Sequence, residues 1–126
     1  MGTPVAAAVG NAVLEVIEQE QLMANAARVG SYLRQRLMQL STRYPVIADV
    51  RGAGLYIGVE MAHKRDGTPA PELAAAIING LRDRRVLIGA AGLMGAVLKI
   101  RPPLCFSATH ADHLLAALDD VLTAAS

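Results

Sequence analysis

Aromatic residues are scarce in this chain. It has no tryptophan, one phenylalanine and three tyrosines in 126 residues. Its core must therefore be built from Ala, Val, Leu and Ile, which suits helices packed tightly on a sheet. Cys105 is the one cysteine, which excludes an intrachain disulfide and any cysteine-cluster metal site. Strong charge of either sign is also missing. A formal net charge of +1 gives no bulk electrostatic reason to expect nucleic acid or an anionic membrane as partner. No run is long and apolar enough to span a bilayer. The first apolar stretch, Val5 to Val9, has no basic leader and is interrupted by Gly10 and Asn11, so it does not read as a signal peptide. A reducing compartment, the cytoplasm, is the default expectation.

What is present is an apolar half, 53% of the residues, enough for one domain with a real core. Thr3-Pro4 reads as a helix start, since Thr can cap and Pro at the first helical position loses no needed hydrogen bond. Val5, Val9, Val13 and Ile17 form a stripe at helical spacing. The acidic pair Glu18 and Glu20 marks an end or a break. A second helix is expected over Gln21 to Leu40, where Leu22, Ala26, Val29, Leu33, Leu37 and Leu40 recur at three and four. Pro45 closes the helical region. Val46 to Val50 reads as a strand and Arg51 to Gly54 as a turn. Leu55 to Met61 alternates cleanly, with Leu55, Ile57, Val59 and Met61 on one face and Tyr56, Gly58 and Glu60 on the other.

The polar segment His63 to Pro71 reads as a surface loop. A helix follows, with Leu73, Ala74, Ile77, Ile78 and Leu81 inward and Arg82 to Arg85 at its solvated end. Val86-Leu87-Ile88 reads as a short buried strand and Gly89 to Gly95 as a connection. The next strand, Val97 to Arg101, places Lys99 and Arg101 on one face and Leu98 and Ile100 on the other. It stops at Pro102-Pro103. A last helix, capped by Ser107, turns Leu114, Leu118, Val121 and Leu122 inward and Asp112, Asp119 and Asp120 outward. The expected class is α+β: a small, mostly antiparallel sheet with helices packed on one side.

Most chemical signatures fail. Gly52-Ala53-Gly54 is too short for a dinucleotide fingerprint and precedes a strand. Gly89 to Gly95 lacks the Lys-Ser/Thr of a phosphate loop. His110 and His113 can share a helix face, but no third ligand stands near them. No Gly-x-Ser-x-Gly elbow exists, and Cys105 sits in an inert apolar, prolyl context. Two lysines remain, Lys64 in the loop and Lys99 on the strand. Paired with Arg101, Lys99 marks the strand as a candidate anion site, although a local acid such as Glu60 could instead take its charge.

Three separated stretches carry a resemblance. Gly2-Thr3-Pro4-Val5-Ala6-Ala7-Ala8-Val9-Gly10, Asp49 through Glu60, and Lys99-Ile100-Arg101-Pro102-Pro103-Leu104 resemble, in order and spacing, the C-terminal part of class III pyridoxal-phosphate aminotransferases. The Lys-Ile-Arg-Pro-Pro-Leu-Cys-Phe run is similar to the subgroup of alanine–glyoxylate aminotransferases and amino-alcohol-phosphate phospho-lyases. The resemblance implies the small C-terminal domain (residues 1–126) of a fold-type I enzyme that works as a homodimer on a small anionic substrate. It further implies that the aldimine-forming lysine, the catalytic large domain and the cofactor's other contacts lie outside this chain. By itself the chain is then expected to bind no pyridoxal phosphate and to be inactive. Many members carry a substrate-carboxylate arginine three residues before the proline pair. Lys99 holds that position here, so the anion could be a carboxylate or a phosphate. The rival reading is a free-standing α+β module that binds a small ligand.

Overall fold

The structure, a computed structural model, describes residues 4–92 and 94–125, with side chains from residue 12 onward. The described residues form three helices and four strands: α1 (Pro4–Arg43), β1 (Ile47–Ala53), β2 (Tyr56–Met61), α2 (Pro71–Asp83), β3 (Gly89–Ala91), β4 (Val97–Ile100) and α3 (Ala108–Ala125). The strands make one antiparallel sheet in the order β1-β2-β4-β3. The α+β expectation holds.

One face of that sheet is apolar because side chains alternate. Ile57, Val59 and Met61 of β2 and Leu98 and Ile100 of β4 are buried, with Val59 opposite Leu98 and Ile57 opposite Ile100. The α1 helix packs on β1 and β2, α2 on β2, β3 and β4, and α3 on both other helices. Leu33 and Leu37 of α1, Ile77 and Leu81 of α2, and Leu118 and Leu122 of α3 fill the space between, all essentially inaccessible. Each such side chain contributes about 1.5–3 kcal/mol relative to exposure. Among the described residues, the opposite sheet face carries no helix.

Four expectations need correction. The acidic pair does not interrupt a helix. From Asn11 to Val29 the sequence has no Gly or Pro, and Glu18 and Glu20 face solvent, so the backbone ladder runs through and α1 is continuous. The apolar stripe at its start does not find a core: Val13 and Ile17, with Leu14 and Val16, are exposed. The helix start at Thr3 and the side chains of Val5 and Val9 lie outside the described residues. Third, β1 extends through Arg51 and Gly52 to Ala53. The hairpin turns instead at Gly54-Leu55, where Gly54 takes φ 54°, and Ala48 sits in a register shift between Ile47 and Asp49. Finally, Val86-Leu87-Ile88 is not a strand and Leu87 is 82% exposed. The strand is the next segment, Gly89–Ala91, an edge held to β4 by backbone bonds that need no side-chain pattern.

Two of the outward aspartates are not merely solvated. The Tyr32 hydroxyl donates to Asp112 Oδ1, and that bond is the main cause of the raised pKa of Tyr32. The Tyr44 hydroxyl donates to Asp119 Oδ1 at 2.5 Å and lies 2.7 Å from Thr123 Oγ1. These bonds tie α1 to α3. Tyr44→Phe is expected to lower unfolding free energy by about 1–2 kcal/mol, measured by urea denaturation.

Candidate functional site

The open face of the sheet is built by register. On it, Arg51 of β1 pairs across to Gly58 of β2, Gly58 to Lys99 of β4, and Lys99 to Gly89 of β3. One row further along stand Asp49, Glu60, Val97 and Ala91. Lys99 is therefore flanked on both sides by glycine. A Cβ at Gly89 would meet nothing within 4 Å, whereas one at Gly58 would press on the Val97 side chain at 3.3 Å and reach the Arg51 carbonyl oxygen at 4.0 Å. The lysine stem lies in a shallow trough floored by backbone, with room beside it.

Charge on this face is divided. Arg51 holds both acids, Glu60 at 3.5 Å and Asp49 at 3.8 Å. Glu60 is thus committed to Arg51 and not to Lys99. Half-buried Lys99 has no hydrogen-bond or ion-pair partner among the described residues. Arg101, one step past the end of β4, sets its guanidinium over the Tyr56 ring, 5.3 Å from the centroid. Arg51 offsets one of the two carboxylate charges at the acid-rich edge, and the Lys99–Arg101 side carries two cations.

Beside Arg101 opens a cavity of about 510 Å³ between α1, the β1–β2 hairpin and the Pro102-Pro103 segment, with Met23, Gly54, Tyr56 and Leu104 in its walls. Asn25 holds its outer wall. Its Nδ2 donates to the carbonyls of Leu104 and Phe106, both at 2.9 Å. This residue is absent from the sequence reading, yet it left a signal: it is a polar side chain beside Leu22, Ala26 and Val29 on the inner stripe of α1. Asn25→Ala is expected to cost about 1–2 kcal/mol and to free residues 101–106, seen as faster amide hydrogen exchange at Phe106 with little change in β2.

The residues gathered here do not fit a pyridoxal phosphate by themselves. A carboxylate for the pyridine nitrogen is not at hand beside Lys99, because both acids of its face are held by Arg51. Lys64 lies in an exposed turn whose cavity is walled by its own neighbours, His63 to Thr68, and the one ring there, the His63 imidazole, is paired with Glu72 at 2.7 Å. Nor do the described residues contain a cluster of three metal-ligating side chains, and no described helix is long and apolar enough to cross a membrane.

The sequence model described as Aminotransferase class-III matches residues 1–122. The chain belongs to the class III aminotransferase family. An Arabidopsis thaliana relative named alanine–glyoxylate aminotransferase 2 homolog 2, mitochondrial, is 46% identical over 94% of this chain and 25% of its own length. An Arthrobacter phospholyase solved in complex with phosphoethanolamine superposes with a TM-score of 0.83 at 42% identity, over 95% of this chain and 29% of that one. An amine transaminase from an uncultivated Pseudomonas species, solved in its PLP-bound internal aldimine form, gives a TM-score of 0.76 at 31% identity, over 98% and 28%. The class III chain studied here thus spans about a quarter of the length of such relatives.

Proposed function

We propose that this chain is the small, substrate-side domain of a pyridoxal-phosphate-dependent aminotransferase, and that its open sheet face forms the wall that receives the anionic group of a small substrate. The observation that carries this reading is Lys99, without a partner among the described residues and flanked by Gly58 and Gly89. Its stem is half-buried while the ammonium reaches solvent, so an anion that enters meets a charge no described side chain has taken. The two nearby acids are drawn off by Arg51, so the charge of Lys99 stays available. Arg101, braced on Tyr56, stands as the second cation beside it. The cofactor supplies amino-group chemistry, and residues outside those described here would hold it.

The exposed apolar start of α1, with Val13, Leu14, Val16 and Ile17, supports a homodimeric enzyme with a large catalytic domain over a free-standing ligand-binding module. That face needs a cover. Cys105 is exposed and free, in keeping with the cytoplasm we propose for the protein.

Phosphoethanolamine in the complex of the structural neighbour favours a specific second reading, a phospho-lyase. Lys99 fits either anion, since a compact ammonium binds phosphate as readily as carboxylate, without the bidentate fork of arginine. The test is an assay of the intact, cofactor-loaded protein. With L-alanine and glyoxylate, the aminotransferase reading expects pyruvate to accumulate. With phosphoethanolamine, the lyase reading expects inorganic phosphate. Failure of the intact protein with any anionic amine or amino acid, while neutral amines react, would overturn both.

A further inference from the structure

Across the Pro102-Pro103 ridge lies another cavity, of about 340 Å³, which the sheet-face reading does not use. Its walls are the segment from Arg85 to Ile88, the end of β4, Phe106 and the first turns of α3. Its charged lining has one sign. Arg85 and Arg101 carry it, the polar rings of His110 and His113 stand beside them, and no carboxylate lines the cavity. The rest is apolar, Ile88 and Phe106 included. The size falls at the lower end of small-molecule sites, about 300–1,000 Å³.

The polar groups are free to act on a ligand. The side chains of Arg85 and His113 have no hydrogen-bond or ion-pair partner among the described residues. His110 is oriented by a reciprocal cap. Ser107 N–H donates to His110 Nδ1 at 3.2 Å, and the Ser107 hydroxyl oxygen accepts His110 N–H at 3.3 Å. A neutral imidazole whose Nδ1 accepts carries its proton on Nε2, so it keeps a donor to offer. Glu or Gln usually fills this capping position. With His there instead, the cap brings no negative charge to the groove.

Arg85 closes the C-terminus of α2. Its φ is 63°, the one positive φ outside glycine among the described residues. Glycine would take that conformation freely, whereas a residue with a side chain is strained by about 1–3 kcal/mol. The turn after α2 sets this conformation: Val86 N–H donates to the Leu81 carbonyl and Arg85 N–H to the Arg82 carbonyl, the left-handed closure of a helix C-terminus, and it carries the Arg85 side chain into the groove wall.

The geometry points to a second anion site in this groove, distinct from Lys99, that takes a small organic anion with an apolar body, a carboxylate or a phosphate monoester. The anion meets Arg85, His110 and His113, and the body lies against Ile88 and Phe106. The probes are phenyl phosphate and phenylacetate, titrated calorimetrically into the intact, cofactor-loaded protein, with phenol and inorganic phosphate alongside. At least one of the two aryl anions is expected to bind, and phenol and inorganic phosphate at least about 10-fold more weakly. Arg85→Gly removes the guanidinium and relieves the backbone, so it should fold as well as the parent and bind about 10-fold or more weakly, the loss of one charged hydrogen bond. Arg85→Lys should recover part of that loss. In Lys99→Gln the Arg85-dependent binding should persist. Unchanged affinity in Arg85→Gly, or binding that vanishes in Lys99→Gln, would overturn the proposal.

Discussion

Gly30→Ala is expected to lower the unfolding free energy by about 2 kcal/mol, although alanine is the better helix former. Gly30 is buried in α1 where the helix crosses the β1–β2 turn. A Cβ there would sit 1.9 Å from the Gly54 carbonyl oxygen and 2.4 Å from its carbon. Helix propensity offers about 1 kcal/mol in favour of the change. Overpacking against backbone costs about 1–3 kcal/mol and occasionally more, and here the obstacle is the hairpin itself. Gly80→Ala is the control. Its Cβ would meet Val121 methyl groups at 3.0 and 3.1 Å, and a side chain can yield where a backbone cannot. Thermal unfolding should separate the two variants by about 5–10 °C. The effect reaches function as well. Gly54 walls the cavity beside Arg101, so a displaced hairpin should draw Tyr56 away from the guanidinium and weaken substrate binding in Gly30→Ala.

The other large effect belongs to Lys99. Lys99→Glu places a carboxylate in a row with Gly58 and Gly89, where neither neighbour offers a counter-charge. Losing a charged hydrogen bond to a substrate anion is worth about 1.5–3 kcal/mol, and reversal adds repulsion. A fall in kcat/KM of about 100-fold or more is therefore expected for anionic substrates. Lys99→Arg keeps the charge but widens the head, and the shallow trough has room for it. It should retain most activity and favour carboxylates, whose two oxygens match the guanidinium fork. Overall stability should barely move in either variant, because Lys99 has no intramolecular partner to lose among the described residues.

The parts of this molecule legible in the sequence are those where burial imposes a period. Leu55 to Met61, and Leu98 with Ile100, announce the covered face of the sheet. Leu114, Leu118, Val121 and Leu122 announce α3. The placement of Lys99 and Arg101 on one side follows from the same alternation. What stayed hidden depends on neighbours far along the chain. That Arg51 would take Glu60, leaving Lys99 alone, is set by the β1–β2 register. That Arg101 would rest on Tyr56 depends on β4 lying beside β2. The β3 strand was missed because three small residues at a sheet edge are held by backbone bonds. Continuity of α1 was missed because charged residues were read as an interruption, when a solvent-facing helix accepts them readily.

The central claim is that Lys99 recognises the anionic group of the substrate. The most direct test compares two pairs of amines in the intact, cofactor-loaded protein and in Lys99→Met: L-alanine with ethylamine, and phosphoethanolamine with ethanolamine. Each pair differs in the anionic group. If Lys99 binds that group, Lys99→Met lowers kcat/KM for the reactive anionic member by about 10- to 100-fold and leaves the partner that lacks the anionic group within about threefold. An equal loss for both members of a pair, or no loss for the anionic one, would contradict the account.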